Sequence, residues 1–320
     1  MKALVTGGAG FIGSHLVEAL VRRGATVAIL DDFNPFYDPA IKRENLSQLN
    51  RHVRIYQVDI CDAAATAQVV ATERPELILH LAARAGVRPS VLQPELYLRT
   101  NIMGTFNLLE GAKAAGVPRL IFASSSSVYG ANRTLPFTEN QVLIQTLSPY
   151  ASTKLAGEQL CSNYSYLYGL QVICLRFFTV YGPRQRPDLS IHRFTDRIYH
   201  GQPIEVYGDG SARRDFTYVH DTVQGILNAV DYTRSSFEII NLGESQTVTL
   251  SEVIATIELA LGQKAEINYL PVVPGDMPVT YADITKARQL LGYTPTTSVH
   301  EGIPRFVDWY LNRIKTSKLP

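Results

Sequence analysis

Cysteine is scarce in this chain. There are three in 320 residues, Cys61, Cys161 and Cys174, and none of the short paired spacings that hold a metal. That argues against a disulfide framework and a thiolate metal centre, so no metal is expected and the chain fits a reducing compartment. An excess of one charge is missing as well. The formal net charge is +1 and no long run carries one sign, so nothing points to nucleic acid or a membrane surface as partner. Long hydrophobic runs are absent too, since no stretch reaches the ~18 apolar residues of a membrane span. The opening MKALVTGGAGFIGSHL is broken by glycines and offers neither a leader-length apolar segment nor a cleavage site. The expectation is a cytoplasmic protein. Internal repeats and low-complexity tracts are also lacking. What is present, 46% apolar and 18% charged residues, is enough to build one large domain or two intimate ones.

Short β-branched runs alternate with segments of helical periodicity. The pattern predicts strands at 2–6, 26–30, 53–58, 77–81, 119–124 and 171–176, with helices at 12–23, 63–72 and 101–115 between them. Strand–helix alternation with continuously apolar strands predicts a doubly wound α/β fold whose parallel sheet is buried on both faces. After residue 178 the rhythm loosens. The stretch 202–221 reads as strand, turn, strand, and helices are expected near 219–231, 250–261 and 300–314. The expected division is a domain over 1–178, with return segments near 215–245, followed by a smaller mixed α/β domain over 179–320.

The run VTGGAGFIG (5–13) follows the first strand and opens the first helix. In that setting its glycines let the backbone approach a pyrophosphate at the helix N-terminus, where N–H groups point outward. Gly7, Gly10, Phe11, Ile12 and Gly13 are therefore assigned to a dinucleotide site. Asp31 ends the second strand, 18 residues after Gly13. A carboxylate there accepts both ribose hydroxyls and repels a 2′-phosphate, which favours NAD over NADP. Asp32 is the alternative inward-pointing acid, or else a turn cap. No Arg or Lys follows within the next several residues. Asp59 and Ile60, at the end of the third strand, are candidates for the adenine; a strand-terminal cap is an equal reading of Asp59.

A second cluster carries the chemistry. Tyr150 and Lys154 are four residues apart in SPYASTKLAGEQL, on one face of a helix. A tyrosine normally titrates near 10. A nearby ammonium and a positive nicotinamide ring favour the phenolate, which makes Tyr150 a general base supported by Lys154. Upstream, LIFASSSSVYG (120–130) runs from a strand into four serines with no carboxylate among them.

The segments TGGAGFIGSHL, HLAARAGV, NIMGTFNLLE, SSSSVYG, PYASTKLAGE, LRFFTVYGPRQRPD and RRDFTYVHD together resemble the extended short-chain dehydrogenase/reductase family in its nucleotide-sugar epimerase branch, over nearly the whole chain. LDDFNPFYDPAIKREN, VYGPRQRPD and PGDMPVTYAD look most like the UDP-glucuronate 4-epimerases of that branch. The resemblance implies a Rossmann sheet holding NAD and a C-terminal domain holding a UDP-sugar. It implies that Ser125 bonds the sugar O4 beside Tyr150 and Lys154, that Ser126 and Ser127 line the same rim, and that Lys154 also holds the nicotinamide ribose. Asn101 matches a helix-start position that is structural or near the cofactor. Thr179 stands where related enzymes for uncharged sugars place Asn. Arg214 matches an arginine on the diphosphate, and Val206 and Tyr207 fall where the uracil pocket is built. VVPGDMP lacks a second phosphate-binding arginine. Relatives that dehydrate or decarboxylate carry an acid in the serine turn, so the hydroxyl-only turn implies C4 epimerisation without loss of the carboxylate. Arg186, or else Arg88, is expected to hold that carboxylate; a surface salt bridge is the bland reading of either. The resemblance also implies a homodimer built through helices like 101–115 and 149–168. The alternatives are a 4-epimerase of UDP-glucose or UDP-N-acetylglucosamine, or a non-catalytic dinucleotide-binding sensor or scaffold, against which the intact Ser-Tyr-Lys set argues.

Overall fold

The structure, a computed structural model, describes residues 1–49, 52–272 and 277–317. Val273 to Asp276, within VVPGDMP and PGDMPVTYAD, lie outside the described residues. Six strands follow the predicted runs closely: β1 (Lys2–Thr6), β2 (Thr26–Asp31), β3 (Val53–Gln57), β4 (Leu77–His80), β5 (Arg119–Ser125) and β6 (Gln171–Phe177). A seventh, Phe237–Leu242, returns from the C-terminal half to pair with β6 in parallel. The order across the sheet is Phe237–Leu242, β6, β5, β4, β1, β2, β3, all parallel. The chain winds outward from β1 to β3, then crosses back to β4. This reversal leaves a crevice at the carboxyl ends of β1 and β4, where ligands settle in such sheets.

Both faces of the sheet are covered, and the period of two decides which residue goes where. Ala3 and Val5 join one apolar core while Leu4, between them, joins the other. At the edge, β3 leaves Arg54, Ile55 and Gln57 exposed to water.

The helix Pro149–Tyr168 is started by the Ser148 hydroxyl, which accepts from Ala151 N at 3.1 Å, with proline at its first position. It ends at Gly169 in the left-handed region. Its Gly157 faces Phe122 of β5, where a Cβ would come within 2.4 Å of the ring. The helix thus lies close to the sheet and brings its first two turns to the crevice. The predicted helix 101–115 begins instead as a wide π-type turn, Leu98–Met103, before Gly104–Ala115. Asn101, buried in that turn, accepts from Arg84 N (2.7 Å) and donates to Arg84 O and Thr153 Oγ1 (both 3.0 Å). It clamps the loop after β4 to the helix carrying Tyr150.

Beyond β6, a core of Ile191, Phe194, Val206, Tyr218, Ile257 and Phe306 joins the helices Ser190–Tyr199, Leu250–Leu261 and Val299–Ser317 to the parallel pair Ile204–Tyr207 and Ile267–Leu270. The helix Ser190–Tyr199 was not foreseen, because it follows the turn-like PRQRPD run. Asp215 stitches this half to the sheet. Its buried carboxylate accepts from Glu244 N (2.7 Å), Ser245 N (3.0 Å), Ala282 N (3.1 Å) and Thr217 Oγ1 (3.1 Å). Asp215→Ala would strand three N–H groups, one buried and two partly buried. At a lower bound of about 1 kcal/mol for each, stability should drop by roughly 3 kcal/mol or more. A denaturant midpoint within error of the parent protein would contradict this. Among the described residues, no helix is long and apolar enough to cross a membrane.

Candidate active site

A cavity of about 380 Å³ opens over the crevice. It gathers fourteen of the sequence-assigned residues: Gly7, Gly10, Phe11, Ile12, Gly13, Asp31, Asp32, Asp59, Ile60, Ser125, Tyr150, Lys154, Thr179 and Arg186.

At one end the glycine turn fits a dinucleotide. A Cβ on Gly13 would stand 2.1 Å from Gly7 O, so only glycine lets the helix Phe11–Arg22 start this close to the turn. Gly10 caps that helix without a side-chain hydrogen bond, which leaves its first N–H groups for an anion. Asp31 is buried and points back into the loop. Its Oδ2 accepts from Ala9 N (3.1 Å) and its Oδ1 from Phe33 N (2.9 Å) and Lys42 Nζ (3.0 Å). Asp32 takes the capping role, accepting from Asn34 N (2.9 Å) and Asn34 Nδ2 (3.0 Å). Asp59 accepts from Cys61 N at 2.9 Å, the bond of its capping reading, and it also lines the cleft. Lys42 carries no local sequence signal, because it lies eleven residues beyond Asp31 on the short polar helix Pro39–Leu46. Its buried ammonium compensates the Asp31 carboxylate and lies 3.7 Å from Asp32.

At the other end are Ser125, Tyr150 and Lys154. Burial pushes the Tyr150 phenol above its ordinary range, while a hydrogen bond with Ser125 and the Arg186 charge pull it back. Lys154 donates to Ala123 O at 2.7 Å, and burial lowers its pKa to about 8. The four serines divide their work. Ser124 turns into the core and donates to Glu158 Oε1 at 2.5 Å. Ser125 faces Tyr150 and accepts from Ser127 N (3.2 Å) and Ser127 Oγ (3.0 Å), which leaves its own proton to donate. Ser127 therefore aims Ser125 from behind. Ser126 opens the 3₁₀ turn Ser126–Tyr129, and neither it nor Ser127 is among the residues lining the cavity.

Below the turn, Glu158 is fully buried and paired with Arg176 through Nε (2.9 Å) and Nη2 (2.8 Å). The Arg176 guanidinium lies 4.8 Å from the centre of the Tyr129 ring, and the Tyr129 hydroxyl donates to Asn241 Oδ1 at 2.6 Å. No motif marked Glu158 as the support of the serine turn. The only signal was an acid at the fourth residue after Lys154 on the buried face.

Arg186 lines the cavity with its fork engaged. Nε donates to Asp188 Oδ1 (2.9 Å) and Nη2 to Asp188 Oδ2 (2.6 Å), while Nη2 also reaches Ala85 O (3.4 Å). The Phe36 ring lies 5.2 Å from the guanidinium carbon. Arg88, Val206, Tyr207 and Arg214 are not among the lining residues. Arg88 lies 4.0 Å over the Tyr207 ring, so these two meet each other beside the cleft. Val206 is 1% exposed and packs in the C-terminal core, away from the cavity, against the expectation that it helps build a uracil pocket. Arg214 donates to Arg213 O (2.9 Å) and Pro278 O (3.3 Å). Among the described residues, no group of His, Cys, Asp and Glu could hold a metal ion.

Residues 4–306 match the family model described as GDP-mannose 4,6 dehydratase. A UDP-glucuronate 4-epimerase of Thermodesulfobacterium geofontis is 42% identical, covering 98% of each chain. The crystal structure of UDP-glucuronic acid 4-epimerase from Bacillus cereus, in complex with UDP-glucuronic acid and NAD, is 37% identical with a TM-score of 0.91, over 98% of this chain and 100% of that one. The UDP-glucose 4-epimerase of Thermus thermophilus in complex with NAD is 35% identical with a TM-score of 0.89, over 97% and 99%.

Proposed function

The chain belongs to the GDP-mannose 4,6 dehydratase family of extended short-chain dehydrogenases/reductases, and from that premise we propose that it is an NAD-dependent 4-epimerase converting UDP-glucuronate to UDP-galacturonate. The glycine turn, the N-terminus of Phe11–Arg22 and the Asp31 carboxylate would hold the cofactor. Bound NAD supplies a hydride acceptor and donor, so that C4 passes through a transient ketone. Tyr150 takes the O4 proton and returns it after the sugar has presented its other face. Ser125 holds O4 for that transfer, and Lys154 supplies positive charge next to the ribose and the phenol. The same residues serve both directions.

One observation carries the choice among reactions. The carboxylates lining the cavity are Asp31, Asp32 and Asp59, all at the nucleotide end, and the serine turn offers hydroxyls alone. Among the described residues lining the cavity, no acid lies beside Ser125 and Tyr150 to move a proton at C5, and Arg186 lines the same cavity as the candidate for the sugar carboxylate. Product chromatography with a panel of UDP-sugars tests the reading. UDP-galacturonate from UDP-glucuronate is expected, with little turnover of UDP-glucose or UDP-N-acetylglucosamine. Residues 1–178 with segments near 215–245 carry the cofactor in this reading, and 179–320 receive the UDP-sugar. The chain works as a cytoplasmic homodimer, joined through the helices that expose Met103, Phe106 and Tyr166.

Arg186→Ala should lower turnover of UDP-glucuronate by roughly ten- to a hundredfold, the scale of a charge-assisted hydrogen bond of about 1.5–3 kcal/mol. Any residual activity on UDP-glucose should stay level. Equal losses on both sugars would move Arg186 to the diphosphate or to the fold.

A further inference from the structure

The Arg186 fork already holds a carboxylate. Asp188 meets it side-on, with one oxygen on Nε and the other on Nη2, the arrangement a uronate would use. The guanidinium has little room to turn to a second partner. Its side chain is 15% exposed, backed by the Phe36 ring and the Ala85 carbonyl. While the pair is closed, its charges cancel, and the cavity presents a neutral wall at this point. A neutral wall does not discriminate a uronate from an uncharged hexose.

Resting on the reading above, we infer that Asp188 is a specificity-determining residue: it is a resident carboxylate that a uronate must displace from Arg186, and that an uncharged sugar leaves in place. The two partners differ in a way that suits exchange. The Asp188 side chain is 37% exposed, so a displaced carboxylate returns to water at little cost, whereas the more buried Arg186 needs an anion. Asp188 also stands just before the helix Ser190–Tyr199, whose N-cap residue Leu189 makes no side-chain cap although His192 N in its first turn is taken by Gln185 Oε1 at 3.2 Å, so the helix dipole favours a carboxylate on that side. No bond is made or broken in the exchange. One carboxylate replaces another on a guanidinium, and the substrate affinity for the fork is lowered by the resident's share.

Binding measured in a Tyr150→Phe background, which separates affinity from turnover, tests this. Asp188→Asn should tighten UDP-glucuronate about tenfold by calorimetry, because no resident anion is displaced, and should leave UDP-glucose within about twofold. Asp188→Glu, which restores the charge, should return UDP-glucuronate to the parental value. Unchanged or weaker UDP-glucuronate binding in Asp188→Asn would reduce Asp188 to a residue that orients the fork and overturn the exchange. An equal shift for both sugars would overturn it as well. The epimerase reading is decided separately, by whether the unsubstituted protein makes UDP-galacturonate.

Discussion

Tyr150→Phe should fold, bind NAD with unchanged affinity and lose nearly all turnover, by about 10²–10⁴-fold. The ring stays, so the edge-on packing against Tyr97, with centroids 6.3 Å apart, is kept. Tyr150 is itself among the residues assigned to the cofactor, but the others, the glycine turn, Asp31, Asp32, Asp59, Ile60 and Lys154, are untouched. What goes is the hydroxyl that bonds Ser125 and that is proposed to accept the O4 proton. Burial holds the phenol above its ordinary range, and the Ser125 hydrogen bond and the Arg186 charge oppose that rise, interactions that phenylalanine would not have. Steady-state product formation and a separate NAD titration check the two halves of the expectation. Near-parental turnover would remove Tyr150 from proton transfer.

The second large effect is expected at Ser127. The unsubstituted protein, given UDP-glucuronate, should form UDP-galacturonate with its carboxylate retained and little UDP-pentose. Ser127→Glu acts on this in two ways. It deletes the hydroxyl that donates to Ser125 at 3.0 Å, so the O4 donor loses its aim. It also sets a carboxylate in the turn behind Ser125, away from the residues that line the cavity. Leaving Ser125 without its donor and placing a charge in a half-buried turn costs about 3 kcal/mol, or about a hundredfold in rate. Epimerisation should fall on that order, and any remaining product should be richer in decarboxylated sugar. Mass spectrometry reads both species. A parent protein yielding mainly UDP-pentose would defeat the epimerase assignment.

How far the sequence could be read depended on whether the signal was local. The β1 run, the glycine turn after it and the Tyr150–Lys154 spacing are local, and the structure brings the turn and that pair to one cavity. Lys42 is less local: it reaches Asp31 because the 32–38 loop doubles back, and its helix has no apolar stripe to announce it. Glu158 and Arg176 are farther apart still, joined only by the packing of the helix Pro149–Tyr168 on the sheet. The Arg186–Asp188 pair is two residues apart, yet nothing in RQRPD says that the acid turns back on the arginine rather than outward. Val206 shows the opposite failure. A matched position put it at the ligand, whereas the alternation of Ile204–Tyr207 buries its side chain in the C-terminal core.

The returning strand Phe237–Leu242 bears on how the molecule comes apart. It hydrogen-bonds along the whole of β6 and supplies Asn241 to the buried Tyr129 hydroxyl, so removing it would bare a sheet edge and orphan a polar group under the serine turn. The first half of the chain is thereby denied autonomy: excised, it would lack its own outermost strand. Unfolding should then be a single cooperative event rather than a sequential loss of two modules. A sugar nucleotide that steadies the later residues would, through this one strand, also slow local opening and proteolytic nicking around the dinucleotide turn.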